Sequence, residues 1–254
     1  MDNSTVTINK YGEEAKVGIL SLNRPEKLNA LNETLIHEIL YHMEHISKQE
    51  DIKALIIDSK LEKSFCTGID IDFVKNISNE KAEFFFSSLN YLLEKLANFP
   101  LPTLAITNGY TFGAGADLVL ACDLRLGSST SQFRFPGPQF GVILGTHRLV
   151  NEVGPSVARK LLFSNQIIQA NQALKYGLIQ EVVEEEYIEE VALEWSTKLM
   201  NLSHYTINNI RDICTPYLNT KDKTRTPREI VKNSIMSGDF NERLINYIER
   251  IKSK

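Results

Sequence analysis

The chain has 254 residues, 43% of them hydrophobic and 24% charged, with a formal net charge of −4 at pH 7. That length and balance suit one large α/β domain, or one domain with a helical appendage, and the acidic sum speaks against nucleic acid, which selects a basic face. Three scattered cysteines, Cys66, Cys122 and Cys214, form no CxxC pair, which argues against a disulfide framework or zinc site and for a reducing compartment. The polar opening MDNSTVTINKYGEEAK lacks signal-peptide character and no apolar run approaches membrane-spanning length. A cytoplasmic protein with no membrane partner is expected.

Residues 5–10 and 17–22 alternate apolar and polar side chains around a turn-like Tyr11-Gly12-Glu13-Glu14, which predicts a hairpin at a sheet edge. Residues 23–27 form a turn, and Asn29 or Asn32 can cap the helix that follows. In it Leu35, Ile39, Met43 and Ile46 recur at helical spacing, widened by Ile36 and Leu40. His37, His42 and His45 lie on that helix, but no carboxylate–histidine set at ligand spacing joins them, so no metal site is predicted. Residues 54–58 are a short apolar strand of the kind buried on both faces. It leads into the glycine turn Phe65-Cys66-Thr67-Gly68-Ile69-Asp70 and a helical stretch over 72–96. Cys66 has no histidine in its motif to activate it and reads as a packing residue.

Residues 101–123, LPTLAITNGYTFGAGADLVLACD, organise the rest of the chain. A strand-like run over 101–107 is broken by Asn108 and Gly109, the small-residue turn Gly113-Ala114-Gly115-Ala116 follows, and a helix is predicted from Asp117. Such a turn leaves backbone N–H groups unpaired at a helix start, where the dipole adds partial positive charge. A phosphate, a carboxylate or the oxygen of a developing enolate could bind there, with Asp117 close by. Small residues before a helix also serve plain close packing. The stretch is not a dinucleotide fingerprint, and GxxxxGK[ST] occurs nowhere in the chain. Together with the turn at Gly68, about 45 residues earlier, it forms a second strand–glycine turn–helix unit. Two such units could aim two N–H groups at one point, which is what an oxyanion hole needs.

A further strand is predicted over 124–127, and the proline-rich residues 132–138 should be a loop. Gly154-Pro155 opens a helix over 156–163, another covers 170–176 with Gly177 stopping it, and 178–183 is a final short strand. From there the pattern is helical, over 185–200, 204–218 and 228–251, with the charged, proline-ended 219–227 as a mobile loop. The predicted organisation is an α/β core over 1–184 and a helical region over 185–254.

Read together, LNRPEKLNALN (22–32), KSFCTGIDI (63–71), ITNGYTFGAGADLVLACD (106–123) and ANQALKYGLIQEVV (170–183) resemble, in order and across nearly the whole chain, the motifs of the enoyl-CoA hydratase/isomerase (crotonase) family. The resemblance implies a spiral of ββα units with a helical C-terminal region that trimerises, some members pairing into hexamers. It implies a coenzyme A thioester as substrate, with no separate cofactor, and fatty acyl or enoyl chemistry of lyase or isomerase type. It carries an oxyanion hole onto the backbone N–H groups of Ile69 and Ala114, beside Gly68 and Gly113. The CoA would lie along Lys27, Leu28 and Ala30 and along Ile69, Asp70, Ile71 and Asp72, with Asp70 at a position that looks structural. Tyr247 and Arg250 fall where the family contacts a neighbouring subunit's CoA; an amphipathic helix with exposed charge explains them equally well.

Hydratases of that family use two glutamates, one to activate water and one to move a proton beside the enolate. At the first position stands Asp117, the residue expected to act as a general acid or base. At the second, F-x-x-P-E becomes Phe133-Arg134-Phe135-Pro136-Gly137, and Gly137 can carry no proton. The loop that follows is shortened to 142–148, and its His147 is the titratable residue suited to neutral pH. Ordinary enoyl-CoA hydration is therefore not expected; decarboxylation or thioester hydrolysis asks less of a single carboxylate. The alternatives are a non-catalytic acyl-CoA-binding protein, which Gly137 favours, and a structural subunit with an empty pocket.

Overall fold

A computed structural model of the chain describes residues 5–12, 16–214, 232, 235–236 and 240–252. Strands β1 (Val6–Tyr11) and β2 (Val17–Leu22) pair antiparallel, as the alternation predicts, and β1 forms the edge of a six-stranded sheet. From β2 the sheet continues in parallel through β3 (Ala54–Ser59), β5 (Thr103–Thr107), β7 (Leu124–Ser128) and β10 (Glu181–Val183). A second, four-stranded sheet holds β4 (Ser64–Cys66), β6 (Tyr110–Phe112) and β8 (Gln132–Arg134) in parallel, with β9 (Ile168–Gln169) antiparallel to β8. Each turn of the chain adds one strand to the larger sheet, one to the smaller, and then a helix: β3–β4–α2–α3, β5–β6–α4 and β7–β8–α5. This is a spiral of ββα units.

The corner between β5 and β6 shows how closely the turns stack. Asn108 donates through Nδ2 to Leu61 O and Glu62 O of the preceding corner. Gly109 adopts φ +50°, and a Cβ there would fall inside contact with the Lys63 carbonyl group. Glycine is required.

Helix α1 (Glu33–Ser47) is capped by Asn32, whose Oδ1 accepts from Leu35 N at 2.9 Å. Asn29, the other cap candidate, is instead buried in the left-handed conformation, with Nδ2 donating to Ser59 Oγ and Phe65 O. The predicted single helix over 72–96 is two: α2 (Ile71–Val74), capped by Asp70, and α3 (Asn79–Ala97), capped by Ser78. Aromatic and aliphatic side chains of α3, Phe85, Phe86, Leu89 and Leu93 among them, join those of α1 in the main core. The other face of the larger sheet, Val17, Ile56, Leu104 and Leu126, is covered by α7 (Ile188–Met200) through Ala192 and Trp195. That explains why the central strands are apolar on both faces.

Three expectations change around the third unit. Residues 132–138 are not a loop: Gln132–Arg134 pairs with β6, and Gly137–Phe140 is a 3-10 turn whose N-cap Pro136 and first-turn Pro138 need donate no backbone hydrogen bond. Helix α5 (Thr146–Ser164) begins ten residues ahead of the predicted start at 156. Gly154-Pro155 kinks it rather than opening it, because Gly154 takes a non-helical φ of 73°. His147 and Arg148 therefore stand on a helix. Beyond α6 (Ala170–Tyr176), stopped by Gly177 at φ +83°, and α7 come α8 (His204–Cys214) and α9 (Phe240–Lys252). Arg211 ties α8 to the core by pairing with Asp123 at 2.6 Å and donating to Phe99 O and Leu101 O. The expected loop over 219–227 lies outside the described residues.

Candidate active site

The first glycine turn leaves β4 and runs beside residues 28–31. Thr67 N donates to Leu28 O at 3.2 Å, Leu31 N to Gly68 O at 2.7 Å, and Asp70 N to Leu31 O at 2.8 Å. Because Leu31 bonds the residues on both sides of Ile69, the N–H of Ile69 itself points away from that segment. The second turn leaves β6 at Gly113 (φ +52°), whose N–H donates to Arg134 O at 2.8 Å. Helix α4 (Ala114–Leu120) begins there, earlier than predicted, and the Ala114 N–H precedes the first bond of the helix, Asp117 N to Gly113 O at 3.0 Å.

Small residues bring the two turns together. Gly68 has φ +98°, and a Cβ on it would lie 2.9 Å from Phe112 O and 3.6 Å from Ala114 N. A Cβ on Gly115 would lie 2.7 Å from Cys66 Cβ, inside any tolerable contact. Cys66 is thus packed against the start of α4. Its Sγ donates to Asn29 O at 3.0 Å, and burial pushes the thiol up to about 12, which leaves it inert.

Both turns open on a cavity of about 280 Å³ with a mostly apolar wall. Gly68, Ile69, Ile71, Gly113, Ala114 and Asp117 line it, so the structure brings these sequence-predicted residues to one place. Gly137 and Tyr247 line it as well. The Asp117 side chain is buried, with its carboxyl against the backbone of Gly145, the residue that caps α5. Burial pushes that carboxyl up to about 7, opposed by the Arg148 guanidinium and the Gly145 N–H, which both favour the charged form. An acid held there changes charge near neutral pH.

Other candidates sit elsewhere. Lys27 is paired with Asp72 at 2.8 Å, Leu28 is exposed, and Ala30 accepts from Arg24 Nη1 at 2.6 Å; none of the three lines the cavity. They border it through the segment that holds the first turn. Asp70 is buried, pairs with Arg24 at 2.8 Å and accepts from Phe73 N at 3.2 Å, so its carboxylate is engaged in structure rather than turned to a ligand. Tyr247 packs against Phe140, ring centroids 5.4 Å apart, and lines the cavity. Arg250 is exposed on α9 and outside the cavity lining. His147 faces a second cavity on the other side of α5, together with Arg148 and Glu152, and burial lowers its imidazole to about 4. It does not line the cavity at the glycine turns. No group of three metal-ligating side chains occurs among the described residues.

Sequence reasoning missed Arg134 and Gly145. Arg134 lines the cavity from β8, and its only signal was a charged residue inside an apolar Phe-x-Phe-Pro strand. Gly145 leaves no room for a side chain beside Asp117, a contact between parts of the chain 28 positions apart.

Paired strand–glycine turns stacked by a ββα spiral, with a buried acid at their junction, define a crotonase-type fold. The chain belongs to the enoyl-CoA hydratase/isomerase family, whose model matches residues 12–254. It is similar to the short-chain-enoyl-CoA hydratase of Clostridium acetobutylicum, 33% identical over 74% of each chain. It is also similar to the crotonyl-CoA hydratase of Syntrophomonas wolfei, 33% identical over 70% of each. Among solved structures, an enoyl-CoA hydratase from Bacillus halodurans shares the fold with a TM-score of 0.82 at 20% identity, over 96% of this chain and all of the other.

Proposed function

We propose that this protein acts on a coenzyme A thioester, holding an enolate oxygen between the N–H groups of Ile69 and Ala114 and moving a proton with Asp117. The observation that carries this is a single buried carboxyl, titrating near neutrality, in an apolar cavity bounded by both glycine turns. At neutral pH Asp117 is populated in both forms and can take or give a proton. Backbone donors in such a wall act at low dielectric, and each is worth on the order of 10²–10³ in rate. The CoA would follow residues 27–30 and 69–72, with Tyr247 over the acyl end. The same reading takes the protein as cytoplasmic, trimeric or hexameric, and free of any separate cofactor; three unpaired cysteines agree with a reducing compartment.

Gly137 supplies no second carboxyl, and a Cβ there would lie 2.9 Å from Val142 O, so the wall is closed where a glutamate would enter. Reactions that a single acid–base group can serve, such as decarboxylation, thioester hydrolysis or an isomerisation in which one carboxyl removes a proton and returns it elsewhere, fit better than hydration. The same observation favours the second reading, an acyl-CoA-binding protein without turnover.

The test is turnover of a panel of 2-enoyl-, 3-enoyl- and malonyl-type CoA thioesters, read by mass, for the wild type, Asp117→Asn and His147→Gln. The expected result is a product that Asp117→Asn abolishes and His147→Gln leaves. Turnover surviving Asp117→Asn would remove Asp117 from the chemistry. Thioester retained without any product would leave the binding protein.

A further inference from the structure

Among the residues lining the cavity, two carry formally charged side chains: Asp117 and Arg134. They attach to opposite ends of α5. Asp117 lies against Gly145 at its N-terminus, whereas Arg134 donates through Nε to O and Oδ1 of Asn165, the C-terminal cap, at 3.1 and 3.0 Å. These two bonds fix the guanidinium by one nitrogen, and no carboxylate of the described residues pairs with the rest of it. A cation half-buried in an apolar wall without a counter-ion is costly unless a ligand provides one. Tyr247 stands close enough for Arg134 to favour its ionised form, against the burial that raises the phenol.

The strand order says which part of a thioester would meet it. In the smaller sheet β4, β6 and β8 are neighbours in that order, and Phe112 of β6 is level with Arg134 of β8. Residues 28–31 flank the β4 side, the carbonyl position lies between the turns after β4 and β6, and Arg134 lies beyond β6. At about 4.8 Å per strand, Arg134 is roughly 5–10 Å past the carbonyl on the side away from residues 28–31. An extended glutaryl chain spans that gap.

We propose that Arg134 selects thioesters whose acyl group ends in a carboxylate, which it holds at the end of the cavity opposite Asp117. This rests on the thioester reading above. The chemistry recognised is an anionic oxygen, which a CoA phosphate also offers, and the test separates the two sources.

Binding of glutaryl-CoA and valeryl-CoA, equal in chain length but ending in carboxylate or methyl, is measured by calorimetry on the wild type and on Arg134→Met. The same acyl pair is then measured as pantetheine thioesters, which lack the phosphates. The wild type is expected to prefer glutaryl by about 10- to 100-fold, as a charge-assisted hydrogen bond implies. Arg134→Met should erase that preference, and it should persist in the wild type without the phosphates. The paired ligands test the wild type by itself, whatever the variant's stability. Equal binding of the two CoA thioesters by the wild type overturns the proposal and leaves the thioester reading standing. So does an Arg134→Met that weakens both CoA thioesters equally and neither pantetheine one. Failure of every CoA thioester to bind overturns the thioester reading and this proposal with it.

Discussion

Gly145→Ala tests whether the position of the Asp117 carboxyl is set by one backbone contact. Gly145 has φ −94°, a conformation open to any residue, so backbone strain does not oppose alanine. The neighbour does. The new methyl would overlap Oδ1 of Asp117 and lie 2.5 Å from Cγ and 2.9 Å from Cβ. Ordinary carbon–carbon contact is about 3.5–4.0 Å, so the carboxyl or the start of α5 must move by roughly 1 Å. Overpacking of this kind costs about 1–3 kcal/mol, and each kcal/mol lowers Tm by roughly 2–4 °C in a domain of this size. A displacement of about 1 Å at a reacting group can cost on the order of 10²-fold in rate. Thermal unfolding and turnover would be measured for the wild type, Gly145→Ala, Asp117→Ala and the double variant. Asp117→Ala removes Oδ1 and Cγ, so Gly145→Ala should cost less stability in that background, with a coupling of about 0.5–3 kcal/mol. An equal Tm penalty in both backgrounds would refute the reasoning, and so would a Gly145→Ala that changes neither Tm nor turnover.

Three further outcomes are expected. The Asp117 carboxyl titrates at about 7 in the folded chain against an ordinary 3.8, so between those values the folded state binds more protons than the unfolded one. Stability from this group is therefore present at low pH and lost as pH rises from about 4 to 7. Urea unfolding across that window should show Asp117→Asn gaining on the wild type by on the order of 1–4 kcal/mol; a constant difference would contradict the shift. Arg24→Met strands the buried Asp70 carboxylate, and urea unfolding should report a loss of about 3–5 kcal/mol that Asp70→Asn in the same chain partly restores. Gly137→Glu supplies the carboxyl that the resemblance implies at this position but pushes against Val142 O, whose own N–H donates to Gly137 O at 3.0 Å. It should gain no hydration of a 2-enoyl-CoA, followed by loss of enoyl absorbance, and should lose about 1–3 kcal/mol of stability. Hydration appearing with the new carboxyl would show that the 3-10 turn yields.

Local pattern identified most of the elements that build the spiral. Alternation at residues 5–10 and 17–22 and the helical stripe from Leu35 to Ile46 correspond to β1, β2 and α1. Elements failed where a long-range contact outweighed the local signal. Residues 132–134 became a strand because β6 offers them a partner, even though prolines follow directly. Residues 146–153 extend α5 ahead of Gly154 because Leu149 is buried in the main core, which no turn signal in 142–148 announces. The repeated ββα unit left no trace as a sequence repeat, because its helices differ from 4 residues in α2 and 7 in α4 to 19 in α3 and α5.

The candidate site divides in the same way. Glycines at 68 and 115 were legible because a tight approach of backbone to backbone tolerates no Cβ, and Gly113 because its φ of +52° favours glycine; both demands appear in the sequence as small residues at the turns. Asp117 was legible because it follows the second turn by less than one helical turn. Gly137 was singled out through the resemblance alone, and it lines the cavity. Whether His147 joined Asp117 could not be read locally: a helix starting at 146 turns successive side chains by about 100°, so Thr146 and Leu149 meet the cavity while His147 and Arg148 face away. Arg134 and Gly145 belong to the site only through the stacking of β8 on β6 and of α5 on α4. The sequence by itself determined the two turns and the acid beside them, since each is a demand made by neighbouring residues. The tertiary structure decided which charges share the cavity with that acid, because such neighbours are set by the order of strands in the sheet and the face of a helix.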